Sequence, residues 1–517
     1  MNERVDALVI GAGLGGLAAA VTLAGGGLRT VVLEQHSVPG GYATGFQRGP
    51  YRFDAALHAL NGLAPGGGAD HLYEQLGIAD RLRLHRLDPL YVLRGPGREI
   101  VAHADFFEYE AELIRNFPLQ ADGIRGYLDE ALAVYRDTRR LAVDRSTGRT
   151  PTFEDLPRRY PSLVRVSGET WDQMMSRHVT DPEARTALGA FWSYVSLPPT
   201  RCAATVGAAA SASYHEHGGW YPEGGAQAIG GALVQQLQER GVEIRYGELV
   251  TDLEVEGDRA VAVVTQGGHR IEAERFISNA SAPSTMLDMV GRERLASDYV
   301  AKVELPTPSY TIFSVYLGLD RDLFAEQGLA HEMFVDPSFD VDAAWAASQR
   351  GDWASAWLAI TDYTQVDPGC APAGHAVVVL STVASWDYED TWGTGGDLVD
   401  YHQNPRYLEI KERVADLLVA RAEESVPGLA RAVRHREAST PLTNFHYTRN
   451  PRGAIEGYEN SPLNTGLGQL PSRTPLVNLF LAGAWASSGG MNAAMGSGHS
   501  AGRQALRAVA EGAAPRP

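Results

Sequence analysis

The segment Gly11-Ala12-Gly13-Leu14-Gly15-Gly16 and the acid Glu34 carry the most specific chemistry in this 517-residue chain. Gly11 permits a tight turn, Gly13 lets the backbone approach a pyrophosphate, and Gly16 lets a helix pack closely on a strand. Free N–H groups at the start of that helix then offer a partial positive charge to phosphates. Glu34 follows Gly11 by 23 residues, close to the spacing of about 20 at which a carboxylate accepts from ribose hydroxyls. The combination predicts a dinucleotide site, and an acid at this place favours a free 2′-hydroxyl.

Two histidines are candidate proton carriers. His58 follows the segment Tyr51-Arg52-Phe53-Asp54, and His446 lies in Thr440-Pro441-Leu442-Thr443-Asn444-Phe445-His446-Tyr447-Thr448; each is weighed against a structural, hydrogen-bonded role. The cluster Tyr214-His215-Glu216-His217 invites a metal reading, but no third ligand is apparent and adjacent residues of an extended chain face opposite ways. No metal is expected. The second glycine patch, Gly224-Gly225 to Gly230-Gly231, lacks a preceding strand fingerprint and a terminal acid. The chain therefore carries a single dinucleotide fingerprint.

These residues need elements to hold them. Val5 to Ile10 has the length and apolar character of a strand, Leu17 to Leu23 favours a helix, and Thr30 to Leu33 forms a second strand ending at Glu34. Ile229, Leu233 and Leu237 recur at helical spacing, with Gly241 as the stop. Strands over Val242 to Tyr246, Val250 to Val255, Ala260 to Thr265 and Arg275 to Asn279 are separated by Gly257-Asp258 and Gly267-Gly268, which are hairpin signals. Asn478 to Gly483 is a strand running into Ser487-Ser488-Gly489-Gly490, then a helix through Met495, His499, Gly502 and Leu506. The length exceeds what one core supports, so two interlocked domains are expected.

Pro39-Gly40-Gly41-Tyr42, followed by the Phe53-Asp54 segment, makes the chain resemble the flavin amine oxidase and phytoene desaturase superfamily. Trp192 to Pro199, Tyr310 to Leu319 and Thr440 to Thr448 resemble carotenoid isomerases, retinol saturases and bacterial phytoene-desaturase-like proteins. The resemblance implies FAD as cofactor, with contacts at Gly11, Gly13, Leu14, Gly15, Gly16, Glu34 and Gln35. It adds the pair Gly40-Gly41, which passes the phosphates, and Tyr42, where the family usually has Arg. Val250 is implied at the adenine end, with Asn279 closing the later strand. Gly483, Ala484, Met491 and Asn492 are implied along the flavin; many relatives have Asp where Ala484 stands. Trp485 is expected near the substrate side, as a candidate for catalysis beside His58 and His446.

The expected fold is α/β: a discontinuous, GR2-like Rossmann-type FAD-binding domain (1–75, 215–286 and 441–517) with an inserted α+β substrate domain (76–214 and 287–440). The resemblance implies an FAD-dependent oxidoreductase acting on an apolar unsaturated small molecule by desaturation, saturation or double-bond isomerisation. The alternatives are an amine or amino-acid oxidase, or a non-catalytic binding protein like the GDP-dissociation inhibitors. Composition sets outer limits: a formal charge of −18 argues against nucleic acid and against docking on anionic lipid by charge alone. Cys202 and Cys370 are too few for a disulfide framework. With no secretory signal pattern and no run of about 18 apolar residues, a cytoplasmic protein is expected, with peripheral membrane contact still open.

Overall fold

The computed structural model describes residues 3–146, 149 and 151–512. Strand β1 (Glu3–Ile10) passes through the glycine turn into helix α1 (Leu14–Gly25) and on to β2 (Thr30–Glu34). β1 and β2 pair in parallel from Ala7 opposite Thr30 to Ile10 opposite Leu33. Leu8 and Val9 are fully buried, as expected where a parallel sheet is covered on both faces. The sheet runs Glu243–Tyr246, β2, β1, Arg270–Ser278, Arg259–Thr265 and Val250–Glu256, with Leu479–Leu481 also parallel to Arg270–Ser278. The hairpins at Gly257 and at Gly267-Gly268 form as the sequence predicts.

α1 is apolar on nearly every side because it is enclosed by the helices Ala226–Glu239 and Met491–Gly512. Small residues make this possible. A Cβ at Gly498 would sit 1.8 Å from the Gly15 carbonyl oxygen, and one at Gly16 would sit 1.9 Å from the Gly11 carbonyl oxygen. Ile229, Leu233 and Leu237 are all fully buried on the facing side of Ala226–Glu239.

A second seven-stranded sheet runs Val433–Ser439, Thr311–Leu319, Ala376–Ala384, Leu358–Asp362, Glu332–Val335, Tyr91–Gly95 and Arg98–Ala102. Its two faces differ by the period of two along each strand. Phe313, Val315 and Leu317 pack with Ile410, Val414 and Leu418 of the helix Pro405–Ser425. Ile312 and Tyr316 turn the other way, onto a large cavity. The helices Ala121–Ser146 and Ala204–His217 lie against each other and close that cavity. Tyr135, Thr138, Arg139 and Ala142 face it from one helix, and Val206, Ala209, Ala210 and Ser213 from the other. Both sets follow the i, i+3, i+4, i+7 spacing of a single helical face.

Candidate active site

A cavity of about 1520 Å³ is lined in part by the glycine turn. That exceeds the roughly 300–1,000 Å³ of a pocket for one small ligand. Gly11 stands at φ +89° and Gly40 at φ +119°, conformations open to glycine at little cost. Gly13 is the N-cap of α1 and no side chain caps that helix, so its first N–H groups are available to an anion. Asn279 closes the turn from the neighbouring strand: a Cβ at Gly13 would meet its Nδ2 at 2.6 Å.

Glu34 ends β2 with its carboxylate facing the same space. One oxygen accepts the N–H of Ala12 at 2.6 Å and the other accepts the N–H of His36 at 2.8 Å. Burial pushes the Glu34 pKa up, while these two N–H groups pull it down. Each carboxylate oxygen can accept more than one bond, so Glu34 retains capacity for ribose hydroxyls.

The same cavity is lined by Tyr42 and Asn279, by Ala484, Trp485 and the loop Ser487–Gly490, and by the aromatic residues Tyr194, Tyr310, Tyr316 and Trp357. Arg139, Leu156 and Leu163 line it as well. His58 and Glu456 are among the titratable groups that line it. His58 has Nδ1 at 2.9 Å from the Thr361 hydroxyl and 3.3 Å from Glu332 Oε2. Burial lowers the His58 pKa, but the charge and hydrogen bond of Glu332 outweigh it and the net shift is upward. Glu456 is 8% exposed, and its Oε2 is buried with no hydrogen-bond partner among the described residues. Burial pushes its pKa up to about 8.

The profile of the family described as flavin containing amine oxidoreductase matches residues 14–506. The chain belongs to that family. Among curated relatives of this flavin-containing family, a phytoene dehydrogenase of Streptomyces griseus is 30% identical over 457 residues, covering 84% of this chain and 82% of the relative. A chloroplastic prolycopene isomerase of Daucus carota is 26% identical over 481 residues, covering 90% and 75%. A solved oxidoreductase from Methanosarcina mazei superposes with a TM-score of 0.63 at 18% identity, covering 96% of this chain and 99% of that one, and shares the fold. The cofactor is therefore FAD and the protein is an FAD-dependent oxidoreductase.

The residues of this family member fit that group. Gly11, Gly13, Leu14, Gly15, Glu34 and Gln35 line one end of the cavity. Gly40, Gly41, Tyr42, Val250 and Asn279 join them, and Ala484, Met491 and Asn492 follow farther along. Gly16 and Gly483 lie behind this surface as packing positions; a Cβ at Gly483 would come within 2.3 Å of Asn279 Oδ1. Tyr42 directs its hydroxyl to the Ala454 carbonyl at 3.2 Å. Asn492 is held by Tyr73, whose hydroxyl donates to Oδ1, and donates from Nδ2 to the Asn61 carbonyl.

His446 requires correction: it is exposed, packs its ring against Tyr401 and Tyr447, and does not line the cavity. On the helix Pro441–Thr448 the inward residues are Thr443, Asn444, Tyr447 and Thr448, and 446 falls on the opposite face. Trp485 borders the cavity, yet it is 3% exposed. Its indole N–H donates to Asn450 Oδ1 at 2.9 Å and its ring meets Tyr458 edge to face. The residues of the His215 cluster diverge, with His215 stacked on Tyr109, Glu216 paired with Arg136 and His217 beside Arg139. Glu456 was not singled out from sequence. The only local signal is its place between Gly453 and Gly457.

Proposed function

We propose that this enzyme acts on an apolar, unsaturated small molecule, by desaturation, saturation or double-bond isomerisation. The observation that carries the reading is that one cavity is lined both by the glycine turn and by Tyr194, Tyr310, Tyr316, Trp357 and alanine-rich helix faces. Such a wall offers broad apolar contact and excludes water. The phytoene and prolycopene enzymes among its relatives favour the same substrate class and weigh against an amine substrate or an escort role.

When bound, FAD supplies the two-electron step, and the chain supplies position, dryness and proton handling. Gly11, Gly13 and Gly15 with the start of α1 would hold the phosphates, Glu34 the ribose, and Met491 and Asn492, at the start of a long helix, the flavin end. His58, oriented by Thr361 and Glu332, and Glu456 are the groups able to hold or move a proton beside the substrate. We assign the second sheet and the helices Ala121–Ser146 and Ala204–His217 to a substrate domain. Among the described residues no helix is long and apolar enough to cross a membrane. Both cysteines are free and buried, which with the acidic charge favours the cytoplasm.

The test is anaerobic titration of the purified yellow holoenzyme with polyenes, amines and hydroxylated metabolites, following the flavin absorbance. Bleaching or reproducible spectral perturbation by polyenes alone supports the reading. Bleaching by amines and not polyenes overturns it.

A further inference from the structure

Among the described residues three arginines line the cavity: Arg48, Arg139 and Arg449. Arg48 is engaged by Glu437 through two hydrogen bonds, at 2.6 and 3.1 Å. Arg139 donates to the Gly66 carbonyl and lies 3.1 Å from the His217 ring nitrogen. Arg449 is exposed and makes no ion pair among the described residues; its guanidinium carbon rests 5.8 Å from the centre of the Phe445 ring. Its chain neighbours fix where it stands. The Tyr447 carbonyl accepts from the Gln35 amide at 3.1 Å, and the Tyr447 ring meets the His36 ring edge to face. Asn450 donates to the Ala454 carbonyl at 3.1 Å, the same oxygen that accepts from the Tyr42 hydroxyl at 3.2 Å. Tyr42 follows Gly41, where a Cβ would lie 3.3 Å from the Gly13 Cα. Residue 449 is thus held between the two residues that follow Glu34 and the one that follows the Gly40-Gly41 pair.

The backbone makes a second observation. Arg449 ends the helix Pro441–Thr448 at φ 57° and ψ 15°, the left-handed region that strains any residue with a Cβ and that glycine adopts freely. Glycine is the usual residue at such a helix end. A strained arginine without a carboxylate partner in its own chain points to a use outside the fold. The charge balance says what that use is. Glu34 and Glu248 both line the cavity, and the Glu248 N–H donates to the Glu34 carbonyl at 2.9 Å. A diphosphate would add two negative charges there, against which the start of α1 offers only about half a positive charge.

We infer that Arg449 is the cation that pairs with the FAD diphosphate, its guanidinium leaving Phe445 for the phosphate oxygens when the cofactor is bound. The inference concerns the cofactor and stands whatever the substrate. A guanidinium offers phosphate two parallel, charge-assisted hydrogen bonds, where an ammonium offers a point charge. The exposed side chain reaches them by rotation about its own bonds, with the backbone held by Tyr447 and Asn450.

The experiment follows FAD release from the purified holoenzyme as the rise of free-flavin fluorescence after dilution. Arg449→Gln should release FAD about tenfold faster, the loss of one charge-assisted contact, and Arg449→Lys should fall between it and wild type. Added NaCl should speed release from wild type and affect Arg449→Gln less. Arg452→Gln serves as the control: it removes a cation three residues away that pairs with Asp387 and does not line the cavity, and release should stay within about twofold of wild type. Arg449→Gly separates binding from folding. Its flavin-free form should unfold at a higher urea concentration than wild type, because the left-handed cap is relieved, while its holoenzyme releases FAD as fast as Arg449→Gln. If Arg449→Gln does not fold, the Lys and Gly variants carry the same comparison. Release unchanged in the Gln and Gly variants, or accelerated equally by Arg452→Gln, overturns the assignment. So does a glycine variant that loses stability and keeps its FAD, since the arginine would then serve the fold alone.

Discussion

The amide of Asn279 stands directly over the glycine turn, so that a Cβ on Gly13 would come within 2.6 Å of its Nδ2. The nearest obstacle to a side chain at Gly13 is thus the end of a flexible group, whereas at Gly16 it is the Gly11 carbonyl at 1.9 Å. The two glycines of one motif separate by role: Gly13 keeps space for a ligand, and Gly16 keeps the helix against the turn.

Gly13→Val is accordingly expected to fold and to lose FAD, because the valine fills the approach of the pyrophosphate. Gly16→Val should fail to fold, since backbone cannot swing aside as an amide can. Absorbance near the flavin band per mole of protein, beside circular dichroism, distinguishes the two. Full flavin occupancy in Gly13→Val would remove the phosphate assignment.

Glu34→Ala should do two things at once. It leaves the N–H groups of Ala12 and His36 without acceptors, a loss of roughly 1–3 kcal/mol in stability, and it removes the ribose acceptor. Glu34→Gln keeps one acceptor oxygen and should recover part of the stability while still binding FAD weakly. Denaturant unfolding of the flavin-free forms isolates the first effect; equal stability of wild type and Glu34→Ala would show that the Glu34 bonds to the turn contribute nothing.

Trp485→Ala should destabilise the protein by about 3–5 kcal/mol, the range for removing a large aromatic side chain from a packed interior. The residue fills the core between Tyr458 and the first sheet and spends its N–H on Asn450. Trp485→Phe should recover much of that loss. If the alanine variant keeps its stability and its flavin but reacts slowly, the indole acts at the substrate.

The His58 imidazole gains its proton affinity from Glu332, against the opposing effect of burial. A raised folded pKa means that the contribution to stability is complete below about 6.5 and is lost as pH rises through the higher folded value. Glu332→Gln should remove this dependence and bring the His58 titration down. Following the His58 ring signals by NMR against pH measures it, and an unchanged titration in Glu332→Gln would refute the pairing.

The parts of the fold that were legible from sequence were those governed by local rules. The strand, glycine turn and helix of residues 3–34, and the hairpins at Gly257 and Gly268, follow from spacing and turn chemistry over a few residues. The neighbours that decide the site are set by tertiary contacts instead. Thr361 and Glu332 reach His58 across 303 and 274 residues, and Gly489 lies beside Glu456 although far from it in the chain. The inward and outward faces of Pro441–Thr448, which separate Thr443 from His446, depend on where that helix packs, and its short sequence carries no clear apolar stripe to reveal it.

Glu456 gives the clearest sign test. Its folded pKa of about 8 stands above the model-peptide value, so the folded state holds a proton that the unfolded state releases above about pH 4.3. Between those values the unfolded state binds fewer protons, and stability falls as pH rises. Below the lower value the carboxyl is neutral in both states and resembles an amide. Above the upper value the folded protein carries a buried carboxylate that raises the pKa of Cys202, Tyr214 and Tyr310 and has no ion-pair partner among the described residues. Glu456→Gln should therefore match the wild type near pH 4.5 and exceed it by a few kcal/mol at pH 9, the gap opening progressively between. Urea unfolding of flavin-free wild type and variant at several pH values checks this. Parallel stability curves across that interval would mean that the Glu456 carboxylate is solvated, and that the carboxyl is not held neutral in the cavity.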